Sequence, residues 1–492
     1  MLAALLFAML TVDNNYVVLV DAGKNDEYLS AAKALADFHQ GSLIPFTAEK
    51  LDAAFAELKT RKPDYVVFVL PPEKIDVDLT HQILERSTKL DDDPFQDFAY
   101  GFVTGRDGAA ALRFVERIKA AWKRTYDRNA AFFGSWEGPT LPAPQPLSSF
   151  KAMKMPAEAR FVLARAPEAE RQKAAKEALA SLKGKDALLF FSHGYPYEMG
   201  SCFSAKDFVD WNAELGPAVL VNCSCYNGAP GRWFAPSATG PEEKPAVAKA
   251  DSVALAILDS GVPAYFAGVD PWHGPLAIQV FSYVVDDGLT LGAAAKRMHD
   301  RLALDFLPEP IHYEPTMAVK NRFGGEGSIN RRHNGAGMIL YGDPAWAPFV
   351  KNASKLGFAD WSGNSGRKSL RMGWKPLVDG QPGQDFIIPM NRLLDYYSAK
   401  SNDVMKEISL EVYRVVPWPG DATISSALKV VSARSGGQDI PTGRLQLVQE
   451  QHGGQRLLHV RVPLTVRAYG THWPMTISAK GIDLELCVDA SK

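Results

Sequence analysis

Two short runs carry the side chains best suited to covalent chemistry. Residues 188–194 read LLFFSHG and residues 219–228 read VLVNCSCYNG. Each is an apolar stretch followed at once by a reactive group, His193 with Gly194 in the first and Cys225 in the second. A thiolate can attack a carbonyl carbon, an imidazole can hand a proton to the departing amine, and two N–H donors can hold the developing oxyanion. Cys225 and His193 are therefore the candidate nucleophile and acid–base. The backbone N–H groups of Gly194 and Cys225 are the candidate oxyanion donors. A glycine at 194 would let a substrate carbonyl approach the backbone closely, and Gly228 would permit the turn into the next segment.

The remaining cysteines and histidines read differently. Cys223 stands two residues before Cys225, on the same face if the strand continues, and reads as a small core residue. No Cys-x-x-Cys pair or His-x-x-x-His cluster accompanies it, so no metal site is expected. Cys202, in the loop after His193, reads as a half-buried thiol. With Cys487 these make four cysteines in 492 residues, too few for a disulfide framework. His273 reads as a rim residue, and His299, His312 and His333 show no partner in the sequence. Residues 320–337 are Gly-rich and basic but lack Gly-Lys-Ser/Thr after a strand, which argues for a surface loop over a phosphate loop. No cofactor is implied.

These side chains need a frame. Residues 16–20 (YVVLV), 43–46 and 65–70 (YVVFVL) read as buried strands, and 26–39 and 48–60 as the helices between them. Strands are also expected near 97–104 and 130–135, with a helix over 108–124. Apolar strands alternating with helices imply βαβ units and a parallel sheet. The proline-rich 139–148 reads as a loop between two α/β halves. A second series follows: a helix near 168–182, then strands at 187–191, 218–221 and 264–268. Sites in such sheets form beyond the carboxyl ends of strands, which would set His193, Cys225 and Asp270 along one edge.

After about residue 353 the composition changes. Residues 353–384 read as a Gly-, Ser- and Pro-rich linker. Clean alternation follows in 408–412, 458–466 and 482–488, the pattern of half-buried antiparallel strands, with HGGQ at 452–455 as a hairpin turn. Residues 385–492 are thus expected to form a small β-sandwich.

With 46% hydrophobic and 22% charged residues, the chain has the composition of a folded protein. Its 54 Lys and Arg against 56 Asp and Glu leave a net charge of -2, which excludes a strongly basic nucleic-acid-binding chain. No apolar run reaches the roughly 20 residues of a membrane helix. Residues 1–14 include an apolar run, LAALLFAML, of signal-peptide length but without basic residues ahead of it. Read as a weak secretion signal it implies an extracytoplasmic or secreted protein; read as a buried segment it leaves a cytoplasmic one open.

The pairing of His-Gly at one strand end with Cys-Tyr-Asn-Gly at a following one resembles the caspase-fold cysteine peptidases, and within them the gingipains. The gap between the two motifs is similar as well. Residues 131–138 (AFFGSWEG) resemble the gingipain strand whose Glu supports the catalytic histidine, which implies that role for Glu137. Residues 264–273 (AYFAGVDPWH) resemble the strand and loop whose tryptophan lines the pocket for the residue before the cut, here Trp272. Residues 338–344 (MILYGDP) resemble the close of the catalytic domain. The resemblance spans roughly 15–352 and implies an N-terminal α/β subdomain (15–138), a catalytic subdomain (139–352) and an Ig-like sandwich after them. It departs in one place. Gingipains use an acidic residue shortly after the Glu-Gly strand to select Arg or Lys, and residues 139–150 contain none. Asp270 is the candidate substitute in the pocket.

The activity implied is endopeptidase cleavage through a thioester acyl-enzyme, with a peptide or protein as the partner and neither nucleic acid nor a membrane span. Two alternatives stay open: a sortase-like transpeptidase, since the sequence does not fix the acceptor, and a non-catalytic caspase-fold scaffold. A sugar- or surface-binding protein led by its β-tail is a third class.

Overall fold

The computed structural model describes residues 15–21, 26–47, 50–127, 129–134, 145–147, 168–199, 203–237, 240–271, 274–285, 287–307, 336–350, 357–362, 367–374, 386–387, 406–418, 429–435, 438–439, 445–452, 454–469, 476–477 and 482–489. The apolar run at 1–14 lies outside them.

The first α/β series forms four parallel strands, β1 (Tyr16–Asp21), β2 (Ser42–Phe46), β3 (Tyr65–Val69) and β4 (Ala99–Val103). Their crossovers contain α1 (Leu29–His39), α2 (Leu51–Arg61) and α3 (Val77–Ser87). Then α4 (Gly108–Trp122) leads to β5 (Ala130–Gly134) and the short β6 (Gln145–Leu147), which falls within the stretch expected to be loop. The sequence explains α4 directly. Asp107 caps it by accepting the Ala110 N–H at 2.7 Å, and Ala111, Phe114, Val115 and Ile118 fall on its buried stripe. β1 and β4 are buried at every position, as a sheet covered on both faces requires.

The second series comprises α5 (Glu168–Ser181), β7 (Ala187–Phe191), the short β8 (Gly194–Tyr195), β9 (Glu198–Met199) and β10 (Phe203–Ser204), α6 (Ala205–Asp210) and β11 (Val219–Asn222). It continues through the hairpin β12 (Trp233–Ser237) and β13 (Gly240–Lys244), α7 (Val253–Asp259), β14 (Ala264–Gly268), α8 (Gly274–Val285), α9 (Leu291–Phe306) and β15 (Met338–Tyr341).

The two halves share one sheet, in the order β2-β1-β3-β4-β15-β14-β11-β7-β5-β6. β15 is the joint: it runs parallel to β4 and antiparallel to β14. The parallel blocks on either side of it therefore run in opposite senses. The carboxyl ends of β5, β7, β11 and β14 share one edge, and those of β1 to β4 lie along the other. The expectation that His193, Cys225 and Asp270 follow strand ends on a common edge agrees with this topology.

The C-terminal unit consists of antiparallel sheets. One has the order β16 (Gly357–Ser362), β17 (Arg367–Trp374), β25 (Ile482–Asp489), β20 (Lys429–Ser435), β21 (Gln438–Asp439). The other has the order β18 (Phe386–Ile387), β19 (Lys406–Pro417), β23 (Gln455–Tyr469), β22 (Gln446–His452), with β24 (Thr476–Ile477) on β23. β16 and β17 correct the linker reading of 353–384: these residues pair with one another and β17 pairs with β25. Their Gly and Ser content marked a linker, but sheet pairing depends on a partner more than a hundred residues away. The hairpin expected at 452–455 is present, with His452 opposite Gln455. Leu458 and Val460 of β23 are fully buried, as the alternation requires. His459 between them is buried too, its ring nitrogens 2.7 Å from the Tyr413 hydroxyl and 2.7 Å from the Glu450 carboxylate.

Among the described residues, no helix is long and apolar enough to cross a membrane.

Candidate active site

β7 and β11 are direct neighbours, parallel and in register, with Phe190 opposite Asn222. Such strands lie about 4.8 Å apart. The Cys223 N–H donates to the Phe190 carbonyl at 2.7 Å, carrying the pairing one residue further. Ser192 Oγ and Ser224 Oγ then meet at 2.7 Å. His193 and Cys225 follow these two serines, so they leave adjacent strands at the same height. His193 is exposed; Cys225 is 6% exposed, and Cys223, at 1%, is a core residue as its sequence position suggested.

The path between the two cysteines differs from the sequence expectation. β11 stops at Asn222, so the same-face argument for Cys223 and Cys225 does not apply. The chain enters a turn in which Tyr226, immediately after Cys225, has φ 62°. A side chain in the left-handed region costs about 1–2 kcal/mol. The residue that takes the turn is thus Tyr226 and not Gly228, whose place is set by packing on Ala267 and Gly268.

A buried amide network holds Tyr226 in that conformation. Asn222 Oδ1 accepts the Ser224 N–H at 3.0 Å, while its Nδ2 donates to Asn227 Oδ1 at 3.1 Å and the Tyr265 hydroxyl at 2.9 Å. Asn227 Nδ2 reaches across to the segment after His193, donating to the carbonyls of Tyr195 at 2.5 Å and Glu198 at 2.9 Å. Tyr265 and Tyr341 donate to the carbonyls of Asn227 at 3.2 Å and Gly228 at 2.7 Å. Burial raises both phenols above their ordinary range, so they remain donors. The thiol-bearing turn and the histidine-bearing hairpin are thereby fastened into one body.

Gly194 belongs to the same clamp. A Cβ there would sit 2.8 Å from Asn227 Nδ2 and 2.8 Å from Ser224 Cβ. The sequence argument placed the need for glycine on the substrate side; the contacts place one on the protein side.

Asp270, the candidate acid of the pocket, is almost fully enclosed. It is 1% exposed, and its Oδ2 lies 3.0 Å from Nε2 of His81, itself 2% exposed. Its main-chain carbonyl accepts the Tyr226 N–H at 3.4 Å. The main chain of Asp270 thus ties the segment after β14 to the thiol turn, while its side chain is paired with α3. His81 on α3 was invisible as a site neighbour, being 189 residues away in sequence. Asn222 and Asn227 did leave a signal: amides at the end of a fully apolar strand must be hydrogen-bonded if buried. Glu137, Trp272, Cys202 and His273 lie outside the described residues. His299, without a partner in the sequence reading, has Nδ1 3.3 Å from Gln96 Oε1.

No protein-family profile and no curated protein sequence matches the chain. A solved structure described as "Structure of Protease" aligns over 96% of this chain and 97% of its own, at 8% identity and a TM-score of 0.41, a likeness too coarse to bear on fold or function.

Proposed function

We propose that the chain is a cysteine endopeptidase of the caspase-fold, gingipain-like kind. The observation that carries the reading is the Ser192–Ser224 contact, at 2.7 Å, across the carboxyl ends of neighbouring parallel strands, since the next residue on each is the one the chemistry needs. In this reading His193 takes the thiol proton as Cys225 Sγ bonds to the scissile carbonyl carbon, and the C–N bond breaks as His193 passes that proton to the departing amine. Water then cleaves the thioester with His193 as base. The N–H groups of Gly194 and Cys225 hold the oxyanion, a donor pair of which each member is typically worth about 2.7–4 kcal/mol in the transition state. Glu137 orients His193 and Trp272 lines the pocket, roles that rest on the resemblance alone. So does the Ig-like sandwich assigned to the C-terminal sheets, whereas the extracytoplasmic location rests on the apolar run within residues 1–14, with a cytoplasmic location as the alternative. Asp270 as the acid of the pocket rests on the sequence reading alone.

Labelling with an electrophilic peptide ketone tests the proposal. The unmodified chain and Cys223→Ala take the label, and Cys225→Ala does not. Equal labelling of all three overturns the assignment, and none in any of them favours a non-catalytic scaffold. Adding an amine nucleophile to a cleavage reaction separates hydrolysis from transpeptidation.

A further inference from the structure

Beside the clamp stands a ladder of aromatic rings. Tyr195 contacts both Tyr197 and Tyr226, its ring 6° from parallel with each, at centroid distances of 5.6 and 6.3 Å. Trp233 sets an edge against all three, at 5.1 to 6.4 Å. Tyr226 and Trp233 are 3% and 5% exposed, Tyr195 is half-buried, and Tyr197 at the tip is 43% exposed. The ladder therefore starts at the residue after Cys225, passes through the second residue after His193, and ends in a tyrosine open to solvent.

Its position is fixed before any ligand arrives. Asn227 Nδ2 holds the hairpin by the carbonyls of Tyr195 and Glu198, on either side of Tyr197. A large aromatic ring kept at the surface by stacking and by a buried amide is a preformed apolar platform, continuous with the proposed catalytic turn.

We propose that Tyr197 is a specificity subsite for an aromatic or large apolar side chain of the substrate peptide. The inference rests on the peptidase reading and deepens it by naming the substrate class. Tyr197 is joined through Tyr195 to Tyr226, the residue after Cys225, so the recognised side chain is one that flanks the scissile bond. Stacking on Tyr197 adds selectivity that the proposed dyad, acting on a main-chain carbonyl, does not supply.

The test uses full-length Cys225→Ala, which would bind peptides without cutting them. Calorimetry compares a peptide of alanines with versions carrying one Phe or one Lys at successive positions. One Phe position is expected to tighten binding about three- to tenfold, the range of an aromatic pair. Adding Tyr197→Ser removes that gain and Tyr197→Phe retains it. A gain unaffected by Tyr197→Ser, a gain for Lys instead of Phe, or no measurable binding overturns the proposal. Ketone labelling of Cys225 reports separately on the peptidase reading: labelling with a flat Phe profile sinks the subsite alone. A Tyr197-dependent Phe gain without labelling leaves a peptide-binding platform and sinks the hydrolase.

Discussion

The hydroxyls of Ser192 and Ser224 are 2.7 Å apart, and each belongs to the residue just before a proposed catalytic group. Ser192 Oγ also donates to the His193 carbonyl at 2.9 Å. A serine has one proton to give, so Ser224 is the donor in the pair.

That assignment makes the two alanine variants unequal. Ser192→Ala leaves the Ser224 O–H buried without its acceptor and is expected to cost about 1–3 kcal/mol of stability. Ser224→Ala leaves Ser192 its bond to His193 and is expected to cost about 0.5–1.5 kcal/mol. Urea unfolding of both variants checks the order, and equal or reversed costs would refute the donor assignment.

Gly194→Ala tests the clamp. The added methyl meets Asn227 and Ser224 at 2.8 Å, and neither neighbour is the loose end of a flexible chain. The hairpin must move off the turn, so we expect at least a tenfold slower ketone labelling of Cys225 with the protein still folded by circular dichroism. Unchanged labelling would mean that the two loops are not mutually positioned.

Asp343 should make the fold acid-sensitive. Its carboxylate accepts from Tyr16 at 2.9 Å and the Ala345 N–H at 3.0 Å on one oxygen, and from His39 at 2.7 Å and Trp122 at 2.7 Å on the other. Burial alone would raise its pKa, but His39 and the donors outweigh burial and hold it below the ordinary range. A lowered folded pKa gives stability that is present above the unfolded value of about 3.9 and lost as pH falls through the folded one. Asp343→Asn turns an NH2 toward a pair of donors and should lose about 3–5 kcal/mol at neutral pH. Denaturation from pH 7 to pH 3 measures both effects.

Asp97 predicts the opposite slope. Burial first, then Asp91 and Asp93, push its pKa up to about 8. The native state then holds a proton that the unfolded chain has released, so this group's contribution falls as pH rises from about 4 to about 8. Asp97→Asn should flatten that part of the stability profile; an unchanged slope would show that Asp97 titrates normally.

How much of this was legible in sequence depends on the range of the cause. The β7 run ended where expected and β11 one residue later, because four or five consecutive apolar residues, closed by polar ones, can be read locally. The cap and stripe of α4 are local too. α3 escaped notice because its buried face includes Thr80, His81 and Ser87, polar residues whose burial depends on distant partners. For the same reason the His81 partner of Asp270, 189 positions earlier, could not be read from the sequence. In 357–362 and 367–374 the Gly and Ser content spoke for a linker, while the pairing of 367–374 with residues 482–489 left no local trace.

The late strand β15 has a consequence for the order in which the sheet is assembled. Four N-terminal strands can pair as soon as they are made, and so can β5, β7, β11 and β14. Until residues 338–341 emerge, though, both groups present a raw flank, β4 on one and β14 on the other. Synthesis from the N-terminus thus leaves the nascent chain with two sticky margins for as long as the intervening residues take to translate. Aggregation during expression should respond to mutations along those margins before it responds to any in the finished core.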